Sequence, residues 1–372
     1  MVRCLVILAV AAVGCSSSPS DRDVARDGSL PHEAGRDWPG PDRSLADVPR
    51  PDLSAPVCNA SLSLSPLVLG SDYCVSRRVK LSDTYAAFAL RGDTAWTFSG
   101  YGTTTVGELK GEVQRWPIDP KTGALGSSTV VFSFSEVAAV KIFPSEYLAA
   151  APGSAGPFAV GFTLDKTFEG AIYRGSAGSA PQKIGGAQGN FDAAFLDDKT
   201  LLVNGFGAES AQLGQGVYLV EAGKPARRLI KDLGTMSGYL ALGTHVLLAG
   251  GYFADGSKLY GLSLAELKAA IDGGKELSAS ADGDLVYSGN ALDAAALGDD
   301  LVIVRVDASF AFDGVSVVPV TSSGDKVTSQ APKEIVTKGT GATVDRLAGD
   351  GAQLGLLLTA SGQTELAVVR RK

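Results

Sequence analysis

Two histidines, His32 and His245, are all that 372 residues offer for imidazole chemistry. A general base needs a partner that orients it, and neither histidine has one assignable from the chain, so His245 reads as a strand-edge residue. The four cysteines have no histidine clustered near them, which excludes the usual zinc ligand spacings. There is no G-x-S-x-G elbow, no H-E-x-x-H and no G-x-x-x-x-G-K phosphate loop. The nearest approach to an elbow, "GTMSG" at Gly234 to Gly238, has the wrong spacing and leaves Ser237 as a turn residue. Positive charge is also short. The net charge is −7, whereas phosphate binding needs a cationic surface; nucleic acid is therefore not an expected partner. Arg77-Arg78, Arg227-Arg228 and Arg370-Arg371 are isolated pairs that read as solvated. No cofactor and no metal site is implied, and no catalytic constellation stands out.

Long hydrophobic runs are missing too: none reaches the roughly 18 residues of a membrane-spanning helix. The apolar run that opens the chain is shorter. Met1 to Arg3 give a positive start, Leu5 to Val13 are uniformly apolar, and small residues follow, which is the pattern of a secretory signal peptide. Its last residues, Ala12-Val13-Gly14-Cys15, resemble the lipobox of bacterial lipoproteins. That resemblance implies a signal peptide at 1–14, cleavage before Cys15 and lipid on its sulfur. An ordinary signal peptide with a chance cysteine is the alternative. Lipid chains hold a soluble domain by burying methylenes at roughly 0.8 kcal/mol each, so the membrane becomes a partner through the anchor. Ser16 follows Cys15 where an Asp would resemble an inner-membrane retention signal; the expected location is the cell envelope, at the outer membrane.

Cys4 lies within the signal and Cys15 is assigned to lipid, which leaves Cys58 and Cys74. In an exported chain that even remainder reads as a disulfide. Between them and the lipid lies a segment unlike the rest. Residues 16–56 hold seven of the 17 prolines, seven serines, eight acidic residues and five arginines, with few bulky apolar groups. Such a composition buries too little surface to offset its ordering entropy, so 15–56 is expected to be a lipidated, disordered tether.

Residues 57–372 are rich in short alternating runs bounded by Gly and Asp, among them "TAWTFSG", "TLLVNGF", "HVLLAGGY" and "LVIVRVD", which predicts strands. One stretch, "SLAELKAAI" from Ser263 to Ile271, opens with an N-cap residue and has helical spacing. The strands repeat. Gly100-Tyr101, Gly161-Phe162, Gly205-Phe206 and Gly251-Tyr252 end similar runs at intervals of 61, 44 and 46 residues. Short apolar runs before a turn recur at Leu90, Leu196, Leu242, Leu297 and Ala348. Repeats of that length are read as stacked units. The fold class is all-β: a β-propeller of about six blades, five or seven being allowed, with a pair of sandwiches or stacked barrels as the alternative. The last unit stops after its third strand, so closure calls on "LSLSPLVLG" or "SRRVKLS" from the other end, pinned by the Cys58 to Cys74 bridge.

Within these units "HVLLAGGYF" resembles the double-glycine strand of kelch repeats. "WPIDPKTGAL", Trp116 to Leu125, is similar to the outer hairpin of lactonase-like and pyrroloquinoline-quinone-type propellers. What those likenesses imply is architecture. Envelope assembly complexes contain a lipoprotein propeller, which adds a subunit of an outer-membrane assembly complex to the expectations.

Trp96 and Phe98 share one face of a strand and are read as core between blades rather than a sugar platform. Carboxylates are plentiful at expected turns: Asp282 and Asp284, Asp299 and Asp300, Asp307 and Asp313. Turn aspartates usually cap their own backbone. The function expected is a membrane-anchored extracytoplasmic binding or scaffolding module for a protein or glycan ligand. The other class is a hydrolase or lyase acting on sugars or lactones through loop carboxylates.

Overall fold

The computed structural model describes residues 58–372 except 82–86, 92–93, 102–106, 120–125, 139–141, 151–157, 165–169, 176–181, 185–186, 189–191, 206, 209–213, 234–237, 254–255 and 352. The signal peptide, Cys15, the tether, His32, Ser237 and most of the "WPIDPKTGAL" hairpin lie outside the described residues.

The strands form six successive sheets of four or five strands. Sheet one is Ala87–Arg91, Thr94–Tyr101, Gly107–Pro117 and Thr129–Ala138; sheet two is Ile142–Ala150, Phe158–Leu164, Gly170–Gly175 and Gln182–Lys183. Sheet three is Asp192–Phe195, Thr200–Gly205, Gly216–Glu221 and Arg227–Lys231. Sheet four is Gly238–Leu242, Val246–Phe253, Gly256–Ser263 and Asp284–Gly289. Sheet five is Ala291–Leu297, Asp300–Val306, Phe312–Val318 and Lys333–Thr337. Sheet six is Ala342–Gly349, Leu354–Ala360 and Gln363–Arg371, completed by Tyr73–Lys80. The first strand of each sheet lies against the first strand of the next, and Ala342–Gly349 returns to Ala87–Arg91. The result is a closed ring of radiating antiparallel sheets, an all-β propeller.

Two-residue periodicity builds this arrangement, because alternate side chains of a strand serve opposite faces. Leu301 and Ile303 join a cluster with Leu248, Leu259 and Val286 of sheet four. Their neighbours Val302 and Val304 join Val344, Leu354 and Leu356 of sheet six. Sheet five is thus apolar on both faces, and each fully buried Val or Leu contributes about 1.5–3 kcal/mol. Trp96 and Phe98, each 1 % exposed, pack with Val113 and Phe132 in the same way. Gly100, Gly205 and Gly251 fall among the last residues of their second strands, while Gly161 lies in the middle of Phe158–Leu164. At Gly251 a Cβ would fall 2.0 Å from the Leu233 carbonyl oxygen, so glycine there lets the connection after sheet three pass close against sheet four.

Of the two N-terminal segments named from the sequence, the one containing "SRRVKLS" completes the last sheet, and "LSLSPLVLG" joins sheet five instead. Tyr73–Lys80 runs antiparallel to Gln363–Arg371, from Tyr73 opposite Arg371 to Lys80 opposite Glu365. Val68–Leu69 adds a fifth strand to sheet five beside Lys333–Thr337. The Cys58–Cys74 disulfide is formed, with 5.6 Å between the Cα atoms.

Helix Leu264–Asp272 begins where its cap was expected, with Ser263 Oγ accepting from Glu266 N at 3.1 Å. The chain then does something the sequence does not announce. Leu277–Ser278 joins sheet three in parallel with Arg227–Lys231, and a short helix, Ala279–Asp282, leads back to sheet four. The arginine pairs also need correction, since they are held by the protein and not simply solvated. Arg77 is 4 % exposed. Arg78 donates to Glu365 and to the Ser63 carbonyl, both at 2.7 Å. Arg228 pairs with Glu276 at 2.9 Å, Arg227 reaches the Ile271 carbonyl, and Arg371 pairs with Asp300. Where edge strands meet ring neighbours, a guanidinium satisfies several acceptors at once.

Replacing both Cys58 and Cys74 with Ser is expected to cost about 3 kcal/mol through the freed loop. Urea unfolding of the oxidised full chain against the double variant checks this, and equal midpoints would show that the bridge does not hold the closing strand.

Candidate functional site

Sheets that radiate from an axis are closest together at their first strands, and two of those strands are rich in alanine. Asp192–Phe195 reads Asp-Ala-Ala-Phe and Ala291–Leu297 contains Asp293-Ala294-Ala295-Ala296. A first strand is also an edge strand, with backbone amides that no further strand pairs. Two aspartates answer for some of them. Asp192 Oδ1 accepts from Ala193 N at 2.8 Å and its Oδ2 accepts from Leu240 N of sheet four at 2.8 Å. Asp293 repeats the pattern, with Oδ1 accepting from Ala294 N at 2.9 Å and Oδ2 from Leu347 N of sheet six at 2.8 Å. Each carboxylate therefore joins its own strand to the next first strand around the ring.

Both aspartates are half-buried, so water reaches them, yet protein encloses them deeply enough to disfavour their charge. Burial first, and then the charge of Asp293, push the Asp192 carboxyl up to about 8 against the two amide bonds and Arg346. Burial also raises Asp293, while Arg346 and its two amide bonds pull the other way. Arg346, on the first strand of sheet six, is the cation that acts on both. An acid that keeps its proton near neutrality, a second carboxylate and a guanidinium thus line the inner strands together.

Further polar contacts cross the neighbouring seams. Asn204 is fully buried; its Nδ2 donates to the carbonyls of Tyr239 at 3.2 Å and Gly250 at 2.9 Å. Tyr239 in turn donates its hydroxyl to the Ala291 carbonyl at 2.5 Å. Sheets three, four and five are linked in sequence by these bonds. Between sheets five and six an open recess of about 330 Å³ is lined by Phe312, Lys338, Gly339, Thr343 and Thr359. Thr343 and Thr359 both donate to Asp345, at 3.0 and 2.5 Å.

The aspartates singled out in the sequence lie elsewhere and serve the backbone or an ion pair. Asp282 accepts from Ser278 N at 2.7 Å, Asp284 from Val327 N at 2.7 Å and Asp300 from Val320 N at 2.8 Å. Asp307 accepts from Ser309 N at 2.8 Å and Ala311 N at 3.0 Å, and Asp313 pairs with Lys338 at 3.1 Å. Asp299 accepts from His245 N at 2.8 Å. His245 itself is exposed in the turn before Val246–Phe253. Among the described residues, no three of His, Cys, Asp or Glu gather as a metal would require. Asp192, Asp293 and Arg346 went unremarked in the sequence. The signal that marks the aspartates is the recurrence of Asp-Ala-Ala-x-Leu at Asp192 to Leu196 and Asp293 to Leu297.

No family model matches the chain, and no curated protein matches it. Solved structures resemble it in fold. The β-propeller domain of the trilobed protease from Pyrococcus furiosus is 10 % identical with a TM-score of 0.41, over 78 % of this chain and 94 % of that one. A DUF4623 family protein from Bacteroides eggerthii is 12 % identical with a TM-score of 0.38, over 76 % and 57 %. Acylaminoacyl peptidase from Pyrococcus horikoshii is 9 % identical with a TM-score of 0.39, over 76 % and 45 %. The chain is of the β-propeller class, and fold alone does not carry over what those proteins bind or cleave.

Asn204→Ala would strand the Tyr239 and Gly250 carbonyls in a dry seam, a loss of about 1–3 kcal/mol. Thermal unfolding measures it, and an unchanged midpoint would show that the amide is dispensable.

Proposed function

We propose that this chain is an exported protein, anchored by lipid on Cys15, whose propeller serves as a binding or scaffolding module for an envelope protein or glycan. The observation that carries the reading is how the surface carboxylates are spent. Asp282, Asp284, Asp299, Asp300 and Asp307 each accept backbone amide bonds of their own protein, which suits rigid loops displayed for contact. The disulfide agrees with an oxidising compartment. The tether at 15–56 lets the ring stand off the membrane, and the lipobox-like end of the signal suits the outer membrane. The kelch-like and lactonase-like strands belong with this reading as likenesses of single repeats.

A second reading is favoured by one feature, the Asp192, Asp293 and Arg346 group. A carboxyl held up to about 8 keeps its proton near neutral pH and could give it to a leaving group, as a sugar or lactone hydrolase or lyase requires.

Two measurements test these readings. Mass spectrometry of the mature protein should find diacyl or triacyl lipid on Cys15, and Cys15→Ala should lose it and release the protein from membranes; a fatless wild type sinks the anchor. Incubation of the detergent-solubilised full chain with envelope glycans should give binding with the glycan recovered intact. Turnover that Asp192→Asn abolishes would replace the binding reading with the hydrolytic one.

A further inference from the structure

We propose, resting on the reading of the ring as a binding module, that the recess between sheets five and six and the loop from Asp307 to Ala311 beside it hold a neutral sugar unit of a glycan. The recess has a volume of about 330 Å³, and Ala311, Phe312, Lys338, Gly341, Thr343 and Thr359 are among its walls. Ala342 begins the first strand of sheet six, Thr359 is next to last in its second, and Phe312 begins the third strand of sheet five. The recess therefore opens on the face of the ring made by the loops between second and third strands and by the connections between sheets. Ligand sites run from roughly 300 to 1,000 Å³, so this one suits a single small unit. A folded partner would instead cover about 800 Å² on each side.

The loop beside the recess holds an aromatic ring in water. Phe310 is 44 % exposed, and among the described residues no other aromatic side chain is exposed. Its φ is +62°, a left-handed conformation that bulky residues rarely adopt. Asp307 imposes it. Phe310 N donates to the Asp307 carbonyl at 3.0 Å, and Asp307 N donates to the Ala311 carbonyl at 2.9 Å. Asp307 Oδ1 accepts from Ser309 N, Ser309 Oγ and Ala311 N at 2.8, 2.6 and 3.0 Å. Exposing an apolar ring and straining its backbone both disfavour the fold, and strain of this kind gathers at ligand sites. Such a ring offers a flat apolar face for the C–H groups of a sugar.

The polar groups of the recess define what the ligand must bring. Thr343 and Thr359 donate to different oxygens of Asp345, at 3.0 and 2.5 Å. Their protons are thus used, and their lone pairs remain for ligand hydroxyls to donate to. Lys338 Nζ gives one donor to Asp313 Oδ1 at 3.1 Å, which leaves its others for ligand oxygens. An anion gains little, because Lys338 is matched by Asp313, and Arg305 by Asp313 and Glu334. At Gly341 an added Cβ would meet nothing within 4 Å, so the backbone there stands open. Acceptors, donors and an apolar ring, with the charges already balanced, fit a molecule that has hydroxyls around its edge and C–H groups on its face.

The test is titration calorimetry of the detergent-solubilised full chain with cellotetraose and chitotetraose, whose equatorial substituents leave the ring faces apolar, and with tetragalacturonate as the charged comparison. Expected is binding of a neutral probe ahead of the acidic one. Phe310→Asn, which accepts a left-handed backbone but stacks poorly, should weaken it about tenfold. Lys338→Met and Thr359→Val should weaken it too, whereas Val130→Thr, at an exposed position of Thr129–Ala138 in sheet one, should leave it unchanged. Thermal unfolding checks that each variant folds. Should one fail, the bound probe carrying a diazirine and crosslinked to the wild-type chain should label peptides holding Phe310 to Phe312 or Lys338 to Thr343. Neutral binding that survives Phe310→Asn and Lys338→Met, or crosslinks elsewhere, overturns the site and leaves the binding-module reading standing. Absence of neutral binding, or a preference for tetragalacturonate, overturns the sugar assignment. Cleavage of a probe that Asp192→Asn abolishes would overturn the binding-module reading, and the site with it.

Discussion

An edge strand placed deep inside a protein is the constraint on which this ring depends. Six sheets converge on an axis, and the first strand of each has backbone amides on its inner side with no further strand to pair them. Bulk water solves that problem on an outer edge, where a lone strand is merely exposed. Near the axis the solution has to come from side chains of the neighbouring sheet. Asp192 and Asp293 supply it, each bonding an amide 48 or 54 residues further along the chain. Asn204 and Tyr239 do comparable work with carbonyls 46 and 52 residues away. Every one of these bonds spans about one structural repeat, which is the distance the ring imposes between equivalent positions of adjacent sheets.

Closure is the second consequence of radial packing. A propeller with an unfinished sheet would expose the outer edge of Gln363–Arg371 and loosen the faces beside it. Tyr73–Lys80 fills that place, and the Ser76 hydroxyl donates to the Val368 carbonyl across 292 residues of sequence. Pairing at such separation is entropically late, since a long loop closes before its contacts reward it. The disulfide to Cys58 and the Arg78 bonds to Ser63 and Glu365 fasten the segment that arrives last in that sense, although it comes first in the chain.

Much of this architecture was legible in the sequence, because it rests on local regularities. Alternation of apolar residues marked the strands, the Gly-aromatic steps marked the repeat, and Ser263 marked its helix. The unfinished last unit and the paired cysteines pointed to closure by "LSLSPLVLG" or "SRRVKLS", and the second is the one that closes the last sheet. The candidate site was not legible, for a physical reason. An aspartate opening a run of alanines looks like any turn residue until the register of the neighbouring sheet is known, and that register is set by a strand some 50 residues away. The arginine pairs misled for the same cause: Arg78 and Arg371 read as surface charge because Glu365 and Asp300 are remote in sequence.

Why carboxylates, rather than amides, hold two of the seams is a question of supply and number. A carboxylate brings two acceptor oxygens and no donor, which matches two unpaired amides, whereas Asn204 can offer one acceptor and two donors and is found instead beside two carbonyls. The match has an electrostatic cost, because two such groups on one axis repel. Arg346 offsets one charge only. At Asp192 burial and the charge of Asp293 therefore work against the two amide bonds, which favour the ionised form that has only acceptors to offer.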